Sequence, residues 1–327
     1  MIKEKPKVAI LMATYNGEKY IDQQIGSIIE QDYQEWDLFI SDDGSKDKTV
    51  DIIRSFGEHD PRIKKILFNM DHGAFSNFYC LLRYAQKNLA DKYDVFCLCD
   101  QDDIWEKDKI RVEVNAIANN HDENVLVYSD LAIMNADNSL TGKKMSDYFD
   151  IELKNCYDIF FNSVFVWGNT IAISNALMKR INFDYDISKQ YSHDQFLAVN
   201  AVIYGKVVYI NKPIVRYRRY TGNVSGFAPK KSVTGVINKV LLSCGKTIEK
   251  HGSYYVNILK VLDNCDKEAG ALDDIRKAYL CGGVQALKVI KKYGITPGPT
   301  RESALYNRLI LMTGLHKRTR AFKNYMK

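Results

Sequence analysis

The sequence predicts an α/β protein with a mostly parallel central sheet, covered by helices on both faces and followed by a helical C-terminal region. Strand-length apolar runs alternate along the chain with segments whose apolar residues recur every three or four positions. The runs do not alternate with polar residues, which is typical of parallel strands buried on both faces. The last hundred residues contain only helical patterns. Together these features favour one large sheet domain and a smaller helical appendage in a chain of 327 residues.

The elements of the first half follow one another regularly. The predicted strands are residues 7–14, 37–41, 63–68 and 95–99, and the predicted helices between them are residues 20–29, 49–56 and 75–89. Because each helix joins two strands of this kind, the strands are expected to run in parallel and to present their carboxyl ends at one edge.

Regularity weakens in the second half. Further apolar strands are predicted at residues 125–128, 164–173 and 206–210, with a helix over residues 195–201. These elements are interpreted as the second half of the same domain. The stretch 222–232 is rich in Gly, Ser, Pro and Lys, so we expect domains at 1–229 and 230–327.

Composition excludes several classes of protein. Hydrophobic residues make up 46% of the chain and charged residues 26%, as in ordinary globular proteins. Seven cysteines without a C-x-x-C spacing indicate a reduced, cytosolic protein and no zinc site. We expect neither a secretory signal nor a transmembrane segment, since the longest uncharged stretch, 159–178, holds several polar residues.

Charge is divided unevenly between the two regions. Residues 230–327 carry 19 Lys+Arg and 7 Asp+Glu, a net +12, whereas the rest of the chain is at −6. A basic helical region is attracted to anionic surfaces, which favours peripheral contact with the inner face of the cell membrane. A homodimer through these helices and a simply solvated appendage are the alternatives. The residues of a possible amphipathic patch are Tyr306, Leu309, Ile310, Leu315, Lys317, Arg318, Arg320 and Lys323.

Polar clusters follow three of the predicted strands, at residues 14–16, 42–45 and 100–103. The last places Asp100, Asp102 and Asp103 within four residues, and like charges so close favour a cation between them. Hard carboxylate ligands suit Mg²⁺ or Mn²⁺. A solvated loop, with Asp103 capping a helix, is the alternative.

Two other carboxylate positions could carry chemistry. Asp43 follows the second strand, where a carboxylate can accept the N3 hydrogen of a pyrimidine, although the same residues are ordinary in turns. Asp194 begins a predicted helix and is either an N-cap or a general base that deprotonates an attacking hydroxyl. Arginines of the 216–223 segment suit a diphosphate, with a basic strand edge as the alternative.

These motifs, in this order, resemble the inverting family-2 glycosyltransferases over roughly residues 5–228, and most of all the bacterial rhamnosyltransferases of cell-surface polysaccharide synthesis. They are ATYNGEKY (13–20), SIIEQDY (27–33), SDDGSKDKT (41–49), CDQDDIW (99–105), WGNTIAIS (167–174), SHDQFLAVNAVIYGKVVYI (192–210) and YRRYTGNVSG (217–226). The resemblance implies a GT-A fold and transfer of a sugar from a nucleotide diphosphate to a saccharide or lipid-linked saccharide acceptor.

The resemblance also implies roles for individual residues. It makes Asp194 the catalytic base and Asp102, with Asp100 beside it, the metal ligand of a DxD motif. The expected nucleotide-binding residues are Ala13, Tyr15, Asn16, Asp42, Asp43 and Gln101. The expected diphosphate and donor residues are Arg218, Arg219, Tyr220 and Asn223, and those of the sugar and acceptor pocket are Trp105, Trp167, Gly168 and His193.

One departure concerns Tyr220, which stands where related enzymes often carry a histidine that helps to hold metal or diphosphate. A tyrosine is a poor ligand for Mn²⁺ or Mg²⁺, so metal coordination is expected to rest on Asp102, phosphates and water, with Arg218 or Arg219 supplying charge. The donor also stays open between TDP-rhamnose and UDP-hexoses. A sugar-1-phosphate nucleotidyltransferase is disfavoured, because ATYNGEKY replaces its Gly-rich loop, and a non-enzymatic binder of anionic polymers or nucleic acid is the remaining alternative.

Overall fold

A computed structural model describes residues 5–68, 72–161, 166–184, 191–220, 244–267, 270–296, 298 and 301–327. The chain divides into two compact units. The first, the sheet unit, comprises residues 1–151, 166–184 and 192–221, and the second, the helical unit, comprises residues 152–165, 185–191 and 222–327. The domain boundary predicted at residue 229 lies outside the described residues and stays a prediction.

The first part of the sheet unit is an alternation of strands and helices. Its elements are β1 (Val8–Thr14), α1 (Ile21–Ile29), β2 (Trp36–Asp42), α2 (Thr49–His59), β3 (Ile63–Phe68), α3 (Ala74–Asn88) and β4 (Val95–Cys99). The four strands are parallel and lie in the order β3-β2-β1-β4. Residues of β1, β2 and β4 are almost entirely buried, as their continuous apolar runs predict. The carboxyl ends of β1, β2 and β4 therefore share one edge.

The second part of the unit makes the sheet mixed. Its elements are β5 (Ile104–Trp105), α4 (Lys109–Ala118), β6 (Val125–Asn135), β7 (Leu140–Lys144), β8 (Ala172–Ser174), α5 (Asn175–Arg180), α6 (His193–Tyr204) and β9 (Lys206–Arg219). The sheet continues from β4 through β8, β6 and β9 to β5, and β7 pairs with β6. Strand β8 is antiparallel to both β4 and β6, whereas β6 and β9 are parallel.

Two predicted elements differ from the structure. The strand expected over 164–173 is wrong over residues 166–171, because Gly168–Thr170 forms a 3-10 helix and β8 begins only at Ala172, whereas residues 164 and 165 lie outside the described part of the chain. Asp103 does not cap a helix: β5 intervenes, and α4 begins after Asp108. An apolar run shows burial but not its backbone conformation, so short helices and strands are easily exchanged at this level.

A fully buried ion pair connects α4 to the sheet. Lys109 Nζ donates to Glu113 Oε1 at 2.6 Å, both side chains are 0% exposed, and Cys97 Sγ of β4 contacts Glu113 Oε2 at 3.3 Å. The Lys109 ammonium also lies 3.9 Å from the ring centroid of Trp105. Each charge in this pair is tolerated only because the other is present.

The helical unit contains α7 (Cys244–Asp263), α8 (Gly270–Cys281), α9 (Gly283–Lys292), α10 (Arg301–Thr313) and α11 (Arg320–Tyr325). Tyr255 and Tyr279 stack at its centre with ring centroids 4.8 Å apart. The hydroxyls of Tyr279 and Tyr254 donate to the carbonyls of Phe160 and Ile159, so part of the predicted first domain packs with the C-terminal helices. None of the helices described here is both long enough and apolar enough to span a membrane.

Candidate active site

The loop after β1 is fixed from three sides at the shared edge of the sheet. Asn16 adopts a left-handed conformation (φ 47°), donates its backbone N–H to Ser45 Oγ at 2.8 Å, and accepts the N–H of Lys46 at 2.9 Å. The Gln101 side-chain amide forms two 2.9 Å hydrogen bonds with the backbone of Tyr15. The Tyr15 ring remains 52% exposed. The chain thus presents an aromatic face to solvent on a well-held loop that begins after Thr14, and the predicted nucleotide-binding residue Ala13 lies one residue earlier, within β1.

Gly17 is required by this arrangement. A Cβ atom at this position would lie 2.3 Å from Gln101 Oε1, closer than any carbon can approach. The predicted nucleotide-binding residue Gln101 is therefore a positioning residue for the loop, because both polar ends of its amide bond Tyr15.

The Asp42 carboxylate holds the turn after β2 through hydrogen bonds. The carboxylate is 0% exposed and accepts hydrogen bonds from Thr14 Oγ1, from the backbone of Gly44, and from both the backbone and hydroxyl of Ser45, at 2.6–3.0 Å. Four donors satisfy a carboxylate. Asp42 thus holds the turn, and its predicted contact with the nucleotide stays a prediction.

Asp43, the next residue, lies at the end of β2 beside the β1 loop. Its Oδ2 accepts the backbone N–H of Gly73 at 2.7 Å, and its Oδ1 is 2.9 Å from His72 Nδ1. The His72 side chain is 72% exposed, so this partner is easily displaced. Asp43 combines a fixed carboxylate with an accessible neighbour, as a base-binding position requires.

Three carboxylates are gathered directly after β4. Burial raises the pKa of Asp100 to about 7, with smaller contributions from the negative charges of Asp102 and Asp194. Burial also raises the pKa of Asp102, and it raises that of Asp103 well above its ordinary value. The carboxylates that the sequence predicts after β4 thus affect one another's pKa, and the charge of Asp194 also contributes to the raised pKa of Asp100.

Tyr220 is bonded to this cluster. Its hydroxyl donates to Asp102 Oδ2 at 2.7 Å, and its ring lies 5.0 Å from that of Tyr20. Burial and the charge of Asp102 raise the pKa of Tyr220, so it remains a neutral hydrogen-bond donor. The structure thus places Tyr220, which the motifs predicted as a diphosphate and donor residue, as a hydrogen-bond donor to Asp102.

Arg218 differs from its predicted role as a diphosphate ligand. The side chain is 0% exposed, and its guanidinium donates to Asp102 O (2.8 Å), Gln23 Oε1 (2.9 Å), Ala136 O (3.3 Å) and Asn138 Oδ1. It also stacks 4.3 Å from the ring centroid of Tyr20. A guanidinium enclosed in this way holds the backbone of the acidic loop, residues 100–103, and is not presented to a phosphate.

Asp103 is the third anchor of the same loop. Its Oδ1 accepts the backbone N–H of Arg218 at 3.0 Å, its Oδ2 accepts the side-chain amide of Asn169, and the residue is 1% exposed. Asp103 and Arg218 therefore hold the loop together, which leaves Asp100 and Asp102 as the carboxylates proposed for ligands.

Asp194 occupies the first turn of α6, and Ser192 is the N-cap residue. Its Oδ1 accepts from Ser192 Oγ and from the backbone of Gln195 at 2.6 Å, whereas no described residue donates to Oδ2. The negative charge of Asp194 contributes to the raised pKa of Asp100. A carboxylate that is held through one oxygen, and whose other oxygen accepts no hydrogen bond from the described part of the chain, suits a general base.

His193 is buried beside Asp194. Its ring stacks on Phe78 with centroids 3.8 Å apart, and neither ring nitrogen has a hydrogen-bond partner in the described part of the chain. Burial lowers the pKa of His193 to about 4, so the imidazole is neutral near pH 7. A Cβ on Gly168 would lie 2.4 Å from His193 Nε2, so the glycine is needed for this close contact.

The other predicted pocket residues have mixed outcomes. Trp105 is 2% exposed in β5, with Lys109 against its ring, so the prediction that it lines a sugar pocket is wrong. Trp167 is half-buried, with its ring 6.1 Å from that of Phe149, and can still reach a ligand. Arg219 is half-buried at the end of β9, and Asn223 lies outside the described residues.

Sequence reasoning missed several residues of the site. Asn77, 2% exposed on α3, donates to the carbonyls of Thr14 and Ser41 and so joins the ends of β1 and β2. Asn169 bonds Asp103, and Gln23 bonds Arg218. A buried polar residue on an otherwise apolar helix face was the available signal for Asn77, but its partners are distant in sequence.

A metal site is not complete in the protein alone. Among the residues that the structure describes, no group of three or more His, Cys, Asp or Glu side chains is arranged to hold a metal ion. Asp100 and Asp102 nevertheless offer hard oxygen atoms, and their mutual repulsion would be relieved by a cation. Two carboxylates, with the remaining positions filled by phosphate and water, suit Mg²⁺ or Mn²⁺.

This fold is that of the GT-A glycosyltransferases: a 3-2-1-4 parallel half-sheet, with Asp43 and the carboxylates after β4 at the ends of its strands, is joined to a mixed half that carries Asp194. The family model of glycosyl transferase family 2 matches residues 9–181. The chain belongs to this family.

Relatives and solved structures agree with the assignment. The chain is 34% identical over 223 residues to the dTDP-rhamnosyl transferase RfbG of Shigella flexneri, covering 66% of this chain and 73% of that protein. It is 27% identical over 184 residues to the UDP-Glc:alpha-D-GlcNAc-diphosphoundecaprenol beta-1,3-glucosyltransferase WfgD of Escherichia coli, covering 56% and 66%. S. aureus TarS 1-349 in complex with UDP-GlcNAc shares the fold, with a TM-score of 0.56, 17% identity and coverage of 98% and 91%.

Proposed function

We propose that the protein is an inverting glycosyltransferase that moves rhamnose from dTDP-rhamnose to a saccharide or lipid-linked saccharide during cell-surface polysaccharide synthesis. The observation that supports the mechanism is the Asp194 carboxylate, which Ser192 and Gln195 hold through Oδ1 in the first turn of α6. Its negative charge also contributes to the raised pKa of Asp100, one of the carboxylates after β4. The rhamnosyl donor rests on the 34% identity to a dTDP-rhamnosyl transferase.

Donor binding is assigned to the loops after β1 and β2. The exposed Tyr15 ring provides a surface against which a base can stack. The Asp43 carboxylate, fixed by Gly73, accepts the N3 hydrogen of a pyrimidine. Asn16 and Gln101 hold the loop in place. Arg219, with Asn223 further along the chain, is the proposed contact for the diphosphate.

Asp100 and Asp102 are the residues that would hold Mn²⁺ or Mg²⁺ next to the diphosphate. When bound, such a cation acts as a Lewis acid that stabilises the negative charge of the leaving group. Tyr220 keeps Asp102 oriented through its 2.7 Å hydrogen bond. Asp103 and Arg218 keep the loop rigid, so the two carboxylates need no rearrangement.

Asp194 is proposed to remove the proton from the attacking acceptor hydroxyl. The acceptor oxygen forms a bond to C1 of the sugar as the bond from C1 to the diphosphate oxygen breaks, and attack from the opposite face inverts C1. Ser192 and Gln195 orient the carboxylate. The neutral His193, near Gly168 and Trp167, is placed beside the acceptor hydroxyl.

The test replaces Asp194 with asparagine. We expect transfer to fall about 10²- to 10⁴-fold, the usual contribution of a general base, while nucleotide binding persists. The matched control is Asp51→Asn, because Asp51 is 79% exposed on α2 and should leave both properties unchanged. Full transfer in Asp194→Asn would exclude this base, and a product with retained anomeric configuration by NMR would exclude inversion.

The donor is tested by thermal unfolding with UDP, dTDP, GDP and ADP, each with and without Mn²⁺. A nucleotide at about 100 times its dissociation constant should stabilise the protein by roughly 2.7 kcal/mol. We expect the largest shift with dTDP plus Mn²⁺. A shift confined to UDP would favour a UDP-hexose donor, the alternative that the relative named for UDP-Glc supports. No shift with any nucleotide would contradict the transferase proposal.

A further inference from the structure

The helical unit exposes apolar and basic side chains in two rows, one on α9 and one on α10. On α9, Val284 is 68% exposed and is followed at helical spacing by Lys288 and Lys291, which are also exposed. On α10, Leu305, Leu309 and Met312 are 64%, 45% and 46% exposed. Positions i, i+4 and i+7 share one helix face, and α9 contacts α10. These six residues are called the apolar-basic face below.

A groove lies between the two helices. It has a volume of about 430 Å³, and its apolar wall includes Leu287, Ile290 and Ile295. Lys291 and Arg308 line it as well, and neither forms an ion pair within the described ranges. Arg308 follows Leu305 by three residues and precedes Met312 by four, so it belongs to the same face of α10. The groove thus pairs two cations with an apolar wall.

The surrounding sequence carries almost no negative charge. Residues 275–327 contain twelve Lys+Arg and one acidic residue, Glu302. An anionic surface is attracted to such a region, whereas a second copy of the same face would bring the same positive charge and be repelled. Charge complementarity therefore favours an anionic surface, and not a second copy of the chain, as the binding partner of this face.

We propose that the apolar-basic face binds an anionic lipid bilayer, with the Leu305 row inserted at the level of the headgroups and a lipid phosphate in the groove between Lys291 and Arg308. Amphipathic helices with apolar residues on one face and basic residues beside them bind membranes in this way. The inference does not depend on which sugar is transferred, and it assigns a membrane-facing surface to the helical unit.

The test is sedimentation of the full chain with vesicles of phosphatidylcholine alone and of phosphatidylcholine with 30% phosphatidylglycerol. We expect binding to the anionic vesicles that weakens as salt rises. Each basic residue near a membrane contributes about fivefold in affinity, so Lys291→Gln with Arg308→Gln should weaken binding about 25-fold. Leu305→Gln with Leu309→Gln should weaken it at least tenfold, because their apolar surface no longer leaves water.

Two controls match these changes on the sheet unit. Lys87→Gln with Lys92→Gln removes the same charge from exposed positions, and Leu140→Gln changes a leucine that is 54% exposed. Both should bind vesicles like the unaltered protein. Since all substituted residues are exposed, melting temperatures should stay unchanged and show that every variant is folded.

Equal loss of binding in controls and test variants would overturn the proposal, because the attraction would then come from net charge alone. Equal binding to vesicles with and without phosphatidylglycerol would also overturn it. Sedimentation equilibrium tests whether the face instead binds a second copy of the chain. If the protein were a dimer, and Leu305→Gln with Leu309→Gln made it a monomer without loss of vesicle binding, the face would be a contact between copies.

Discussion

Replacement of Arg218 by lysine distinguishes a structural arginine from a diphosphate ligand. Lysine keeps the positive charge, but its single nitrogen cannot reproduce a planar fork of donors. The Arg218 guanidinium donates to four acceptors, namely Asp102 O, Gln23 Oε1, Ala136 O and Asn138 Oδ1, in a fully buried position. A lysine ammonium can retain about one of these contacts.

The size of the expected loss of stability follows from the other three hydrogen bonds of the guanidinium. Each lost hydrogen bond from a charged donor costs about 1.5 kcal/mol, and the acceptors left behind are shielded from water. We therefore expect Arg218→Lys to lower the free energy of unfolding by about 4–5 kcal/mol. For a domain of roughly 200 residues, 1 kcal/mol shifts the melting temperature by about 2–4 °C, so the shift should be about 8–20 °C.

Thermal unfolding with and without dTDP is the assay, and Arg219→Lys is the matched control. That variant, at the half-buried neighbour, should change the melting temperature little while weakening the stabilisation by dTDP. If Arg218→Lys instead melted like the unaltered protein and lost only its response to nucleotide, the assignment of Arg218 as a structural residue would be refuted and its role as a diphosphate ligand restored.

Two further predictions concern buried charge. Since the pKa of His193 is lowered to about 4, the unfolded chain takes up this proton first, and stability should be lost as pH falls from about 6.5 towards 4. The free energy of unfolding of His193→Gln should fall less over this range, so that by pH 4 it has lost about 2–3 kcal/mol less than the unaltered protein. If the difference in unfolding free energy between the two proteins stayed the same across this range, the inference would be contradicted. Lys109→Met should destabilise the protein by about 3–5 kcal/mol because it leaves Glu113 buried and unpaired, whereas Lys109→Met with Glu113→Leu should restore most of the loss in urea unfolding.

The first half of the sheet was well predicted because its signals are local. The apolar runs of β1, β2, β3 and β4 are continuous, and the helices between them have clear periodicity, so both follow from burial patterns within short windows. The mixed second half of the sheet was harder to predict from the sequence. Whether β8 pairs antiparallel with β4 and β6 depends on contacts between residues far apart in sequence.

The candidate site divides in the same way. The carboxylates of Asp43, Asp100, Asp102 and Asp194 were identified by residue type and position, and the charges of Asp102 and Asp194 both contribute to the raised pKa of Asp100. Their individual roles in catalysis stay predictions. What residue type could not reveal was which polar groups are already occupied, since an arginine in a motif looks the same whether it is exposed or enclosed.

The sequence by itself determined the fold class, the family and the acidic positions at the strand ends, because these follow from hydrophobic patterning and motif order. Only the tertiary structure decided that Asp42 and Arg218 hold loops, that Trp105 is buried in the sheet unit, and that the His193 ring has no hydrogen-bond partner among the described residues. The reason is physical: hydrogen bonding and desolvation depend on neighbours that the folded chain brings from 80 or more residues away, as Arg218 and Asn138 illustrate.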